Sequence, residues 1–162
     1  MKRLRIYLDT SVINFLFADD APDFRRVTVE FFERYAAQYE LFGSDVLIRE
    51  LSADSDLQRR DRHFLMLKQW YVAMLPGDFD DEVARLADAY LRDGVVPLRK
   101  RDDALHVAYA TVFEMDVVLS WNFKHLANLR REARFMVINQ AQGYLRSPRI
   151  VSPMELQDEN EE

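Results

Sequence analysis

Leu4-Arg5-Ile6-Tyr7-Leu8-Asp9-Thr10-Ser11-Val12-Ile13 is the stretch on which the fold turns. Residues 4–8 are apolar except for Arg5, a run of strand length. It stops at Asp9-Thr10-Ser11, residue types that open helices. The reading is a buried strand that runs directly into a helix start.

The rest of the chain continues the alternation. Residues 12–17 are apolar and helical in pattern until Asp19, Asp20 and Pro22 interrupt them. Over residues 24–39, Val27, Phe31, Tyr35 and Gln38 share one stripe, with Phe32 and Ala36 beside it, which is the pattern of an amphipathic helix. Residues 39–42 are a short strand candidate, Gly43-Ser44-Asp45 suits a helix N-cap, and a short helix over 46–51 follows. The spacing predicts helices over 57–75, stopped by Pro76-Gly77, and over 80–92, closed by Asp93-Gly94. Residues 95–96 are a minimal extended piece, and 102–115 read as a helix apolar nearly all round, hence central. Strands are expected over 117–119, 135–138 and 150–151, a short helix over 123–131, and a helical or irregular segment over 140–145. Strands alternating with helices imply parallel pairing in an α/β sandwich. The expected organisation is one domain over residues 1–154 and a disordered acidic tail over 155–162.

Composition limits the chemistry. A chain of 162 residues can bury a core without disulfides. With no cysteine, a disulfide scaffold, a thiolate metal site and a cysteine nucleophile are all excluded. A formal net charge of -6 argues against a nucleic-acid binder, whose affinity comes from neutralising phosphates. Two features soften this: part of the excess sits in the acidic tail, and a site working through cations itself needs clustered carboxylates. No run approaches the roughly 20 apolar residues that span a bilayer, and no signal-peptide pattern is visible. The expectation is a cytoplasmic protein.

In an open parallel sheet, ligands bind outside the carboxyl ends of the strands. Asp9 ends the first strand, Ser120 and Asn122 follow the strand over 117–119, Asp103 opens the central helix, and Glu50 lies in the helix after the second strand. Each has a plain structural role available. Asp9 or Asn122 could cap the following helix, Asp102 and Asp103 could serve the helix dipole, and Glu50 could be solvated. Taken together they say more, because Tyr7-Leu8 and Ala104-Leu105 set Asp9 and Asp103 at the rim of an apolar core. Carboxylates there need a partner, and a divalent cation is one.

Four pieces in order resemble the PIN-domain family, including the VapC toxin nucleases: residues 6–13, Val46-Leu47-Ile48-Arg49-Glu50-Leu51, Asp103-Ala104-Leu105-His106-Val107-Ala108-Tyr109-Ala110, and Val118-Leu119-Ser120-Trp121-Asn122-Phe123-Lys124-His125-Leu126. Residues 150–156 are similar to the family's closing strand and its proline-containing end. The resemblance implies a three-layer sandwich around a parallel sheet with an acidic hollow, and Mg²⁺- or Mn²⁺-dependent RNA cleavage leaving a 5′-phosphate and a 3′-hydroxyl. It implies Asp9, Glu50 and Asp103 as metal-site carboxylates, with Asn122 completing the catalytic set. The family commonly has Asp at the position of Asn122; Asn keeps a carbonyl but loses a charge, which weakens cation binding and puts a second metal in doubt. A small antitoxin inserting a segment near the hollow is the implied protein partner.

Ser120 could hydrogen-bond a ligand or the phosphate, and Thr10 and Ser11 sit at a helix start that favours anions. Arg99-Lys100-Arg101 could steer RNA, and Lys124, His125, Arg130 and Arg131 form a second basic group; solvated surfaces are the alternative for both. His106, three residues after Asp103, either lines the hollow or is a satisfied buried histidine, while His63 is surface or filler. The aromatic pairs Phe15-Phe17, Phe31-Phe32 and Trp70-Tyr71 are core, a homodimer face or an antitoxin groove. Two other functions compete with a toxin ribonuclease. One is a PIN-like binding module without catalysis, marked by Asn122. The other is an aspartyl phosphotransferase of the haloacid dehalogenase kind, disfavoured because Ser11 stands where that chemistry wants a second Asp.

Overall fold

The computed structural model describes residues 2–161. Five strands, β1 (Arg5–Leu8), β2 (Glu40–Gly43), β3 (Ala73–Met74), β4 (Val117–Leu119) and β5 (Arg149–Val151), form one sheet in the order β3-β2-β1-β4-β5. Every neighbouring pair is parallel. Side chains alternate across the pleat. Tyr7, Val118 and Ile150 face a layer built from α5 (Asp80–Arg92), α6 (Arg101–Val112) and α7 (Leu129–Ala141). Ile6, Leu8, Val117, Leu119 and Val151 face the opposite layer, made of α1 (Thr10–Phe15), α2 (Pro22–Glu30), α3 (Asp45–Ser52), α4 (Leu57–Gln69) and α8 (Pro153–Glu161). Burial on both faces explains why the strands read as continuous apolar runs. The architecture is the expected three-layer α/β sandwich around a parallel sheet.

The strand order fixes where a site can form. From β1 the chain builds outward to β2 and β3, then crosses back to lay β4 on the other side of β1. Connections leaving β1 and β4 diverge, so a crevice opens at their carboxyl ends. Asp9 and Ser120 are the residues that follow those two strands, and the Asp9 N–H still donates to the Leu119 carbonyl at 3.0 Å.

Four expectations need correction. The helix expected over 57–75 ends at Gln69, and the chain after Tyr71 becomes the edge strand β3. The strand expected over 135–138 is helical: α7 runs through it, burying Phe135, Ile138 and Asn139 at helical spacing while Val137 stays 63% exposed. The helix expected over 123–131 is a turn-rich loop through residue 128, with α7 beginning at Leu129. The segment after 154, expected to be disordered, continues α8, and Leu156 is buried against the sheet's second layer. The long helix expected over 24–39 is helical as far as Gln38, but not uniformly. After α2 it passes through a π-helical turn, Phe31–Tyr35, and a 3-10 turn, Ala36–Gln38, and the π turn puts Phe31, Phe32 and Tyr35 all inside. Of the aromatic pairs, Phe15 and Phe17 are partly buried and packed on this core, whereas Tyr71 is 88% exposed.

Candidate active site

Asp9 occupies the N-cap position of α1 but makes no side-chain cap bond there. Its carboxylate is used otherwise. Oδ2 accepts from the Ser11 hydroxyl at 2.8 Å and from the Ser120 hydroxyl at 2.6 Å. Ser11 Oγ in turn accepts from the Trp121 N–H at 2.9 Å, and Ser120 Oγ accepts from the Asn122 N–H, also at 2.9 Å. Two adjacent strand ends are thereby tied through one carboxylate that is 4% exposed. Such a group is held in a single orientation.

Glu50 enters from α3, whose start is fixed by Ser44 accepting from the Val46 N–H. Its Oε1 accepts from Thr10 Oγ1 at 2.7 Å and meets His106 Nε2 at 2.6 Å. His106 Nε2 also lies 3.5 Å from Asp9 Oδ1 and 3.3 Å from Thr10 Oγ1. On the far side of the ring, Nδ1 is 2.6 Å from the Tyr7 hydroxyl, which is itself 2.6 Å from Ser44 Oγ. Burial opposes charge on His106, but the Glu50 hydrogen bond and the charges of Asp9, Glu50 and Asp103 outweigh it and raise its pKa. Burial likewise works to raise Glu50, yet the hydrogen bond and charge of His106 and the Thr10 bond hold it below the ordinary carboxylate value. Both shifts favour the charged forms, an imidazolium against a carboxylate. In that state Nε2–H donates to Glu50, Nδ1–H donates to Tyr7, and the Tyr7 hydroxyl donates onward to Ser44.

Asp103 sits in the first turn of α6, with Oδ2 accepting from Asn122 Nδ2 at 3.1 Å. Asn122 Oδ1 accepts from the His125 N–H at 3.0 Å, so one amide both shapes the loop and touches the carboxylate. Burial, then the charge of Asp9, pushes the Asp103 carboxyl up to about 6. Glu50 adds to the same shift. Neighbouring Asp102 plays a different part: it takes a two-pronged bond from Arg49 at 2.7 and 3.0 Å, which holds it below the ordinary range.

Among the described residues, no group of three or more histidine, aspartate or glutamate side chains is placed to hold a metal ion. What they form is an open set. Asp9 and Glu50 both act electrically on Asp103, and after burial their repulsion is what raises it, a repulsion that a divalent cation would relieve. Magnesium keeps several waters and needs only one or two direct carboxylates, so this donor set fits a hydrated ion better than a stripped one.

The fold thus brings together Asp9, Glu50, Asp103 and Asn122, with the hydroxyls of Thr10, Ser11 and Ser120 turned onto the carboxylates. Lys124 lies in the same loop as Asn122. Arg101 does not join them; its guanidinium pairs with Asp88 of α5. Residue type and spacing alone do not assign His106 to either of its two roles, nor give Tyr7 and Ser44 a part in the site. The available signal was the three-residue offset of His106 from Asp103, which puts both on one face of α6.

Solved structures that share this fold include two VapBC chains. A chain of VapBC2 from Rickettsia felis, bound to a DNA fragment from their promoter, superposes with a TM-score of 0.59 at 12% identity, covering 92% of this chain and 98% of that one. A chain of VapBC-1 from nontypeable Haemophilus influenzae gives 0.59 at 14% identity, covering 93% and 99%. The fold is PIN-like. The shared fold accounts for nearly the whole chain, as the near-complete coverage on both sides requires. No protein-family model and no curated protein matches the sequence. Among the described residues, no helix is long and apolar enough to cross a membrane.

Proposed function

We propose that this chain is a metal-dependent endoribonuclease that hydrolyses RNA phosphodiester bonds, acting as the toxin of a toxin–antitoxin pair. The observation that carries the reading is the meeting of Asp9, Glu50 and Asp103 at the carboxyl ends of β1 and β4, with Asp103 raised by burial and then by the charges of Asp9 and Glu50. A bound Mg²⁺ or Mn²⁺ would supply charge neutralisation at the scissile phosphate and a water of lowered pKa. The chain's own residues do the positioning. Ser11 and Ser120 lock Asp9 toward the crevice, and Thr10 and His106 fix one oxygen of Glu50, leaving Oε2 for a water or an ion. Above a pH of about 6 Asp103 is ionised and completes the anionic set. Asn122 steadies Asp103 without adding charge. Two structures of like fold are VapBC complexes, and a protein partner that covers the crevice is part of this proposal.

A PIN-like module that binds without cleaving is the second reading. Asn122 favours it, because its amide hydrogen bond neutralises no charge. The test is purified protein on a panel of single-stranded and structured RNAs with Mn²⁺, Mg²⁺ or chelator. Cleavage that needs the metal and disappears in Asp9→Asn, with an unchanged far-ultraviolet spectrum, is the expected result. Binding without metal-dependent cleavage anywhere on the panel decides for the second reading.

A further inference from the structure

Two basic runs lie more than twenty residues apart in sequence, and the fold merges them. Arg99 and Lys100 occupy the 3-10 turn Leu98–Lys100 that leads into α6. Lys124 sits in the loop after β4, and Arg131 in the first turn of α7. The bonds Asn122–Asp103 and His125 N–H to Asn122 draw that loop onto the start of α6. Arg99, Lys100, Lys124 and Arg131 all act electrically on His125. Most arginines elsewhere carry a carboxylate partner, as Arg49, Arg59, Arg101 and Arg146 do. Among the described residues, these four cations have none. At their centre, His125 is only 6% exposed, and its Nδ1 has no hydrogen-bond partner. A cluster of cations without carboxylate partners makes this face a surface that attracts anions. The N-terminus of α7, capped by Asn128, adds its dipole to the same face.

The other flank of the crevice is electrically opposite. Past Glu50, a hollow of about 700 Å³ is lined by Asp19, Asp20 and Asp54, and its one arginine, Arg59, is already bound to Asp54. A phosphate backbone is repelled there.

We propose that Arg99, Lys100, Lys124 and Arg131, gathered around His125, form a cradle for the backbone phosphates of a single RNA strand, which is gripped on the Asn122 side of the crevice only. This rests on the ribonuclease reading for the identity of the strand, and it adds which flank holds it.

The test is the salt dependence of binding, read by fluorescence anisotropy with a short labelled single-stranded RNA and no divalent ion. Each phosphate contact on a single strand contributes about 0.7 to the slope of log affinity against log salt. Lys100→Ala/Lys124→Ala is therefore expected to lower the slope by about 1.4. The control Lys2→Ala/Arg3→Ala removes two cations at the amino end of β1, far from the crevice, and is expected to leave the slope alone. Both lysines are exposed, so thermal melts should be unchanged. An unaltered slope in the cradle variant, an equal drop in the control, or no RNA binding by the wild type each overturns the proposal. Metal-dependent cleavage is scored separately on the wild type. If cleavage is absent while the slope falls as expected, the nuclease reading fails and the cradle stands. If cleavage is present while the slope is unaltered, the reverse holds.

Discussion

Asp103 shows how the site trades stability for charge. Its carboxyl titrates near 6 in the fold against 3.8 ordinarily, because it is buried and faces Asp9. Between those two values the folded chain holds a proton that the unfolded chain has released. Stability therefore declines as pH rises through this window, and the loss persists above it. Asp103→Asn removes the repulsion while its side-chain oxygen still accepts from Asn122. The variant should melt with the wild type at about pH 4 and be more stable by roughly 1 kcal/mol at about pH 7, a discounted figure because the group is partly solvated. Metal-dependent cleavage should be lost. Equal melting temperatures at both pH values would show that the carboxylates do not strain one another. His106 moderates the strain, since Glu50, Asp9 and Asp103 raise its pKa and favour its cationic form beside them. This is the part of the site that sequence conceals. Asp9, Glu50, Asp103 and Asn122 declare themselves by residue type and by position at element ends. The role of His106 depends on Tyr7 and Ser44, residues 99 and 62 positions away in sequence, lying within hydrogen-bond reach.

At the scale of elements, helix endings decided which expectations held. Four helices, α4 to α7, close in the same way: the second residue past the C-cap donates back five positions, and the first residue past it has positive φ. Gly94 and Gly143 supply that conformation without strain, at φ 71° and 94°. Tyr71 and Glu114 adopt it at 54° and 57° despite their side chains. Where Asp93-Gly94 marks the end of α5, the expected boundary at residue 92 was met. Where Tyr71 does the same work, the end of α4 and the turn into β3 were invisible, because nothing in the residue type announces left-handed backbone. The apolar run at residues 135–138 misled for another reason: Met136 and Val137 are exposed, so a local cluster of β-formers mimicked a strand. The boundary argument predicts that Tyr71→Gly and Glu114→Gly each stabilise the fold by up to about 1 kcal/mol, the strain of a non-glycine left-handed residue less glycine's unfolded-state entropy. Gly94→Ala should destabilise by a similar amount. Chemical denaturation with unchanged slope is the measurement; loss of stability in both glycine variants would mean that the Tyr71 and Glu114 side chains contribute more than their backbone strain costs.

For the whole molecule, the sheet and the carboxylates are a single thermodynamic system. The site is assembled from β1, α3, α6 and the loop after β4, elements that meet only in the folded state. An ion bound to that assembly binds the native chain and not the unfolded one, so it must raise global stability by mass action. At a concentration about 100 times its dissociation constant the gain is about 2.7 kcal/mol, which for a domain of this size is on the order of 5–10 °C in melting temperature. Protons compete for the same oxygens. Below a pH of about 6 Asp103 is protonated, so binding must first expel that proton, and the apparent affinity falls. The melting temperature should therefore rise with added Mn²⁺ at about pH 7.5, rise much less at about pH 5, and return to its starting value on chelation. Asp9→Asn should flatten the response at both pH values, whereas Lys2→Ala/Arg3→Ala should leave it intact. A melting temperature indifferent to Mn²⁺ at either pH would separate the acidic crevice from cation binding, and the nuclease reading would lose its physical basis even though the fold stands.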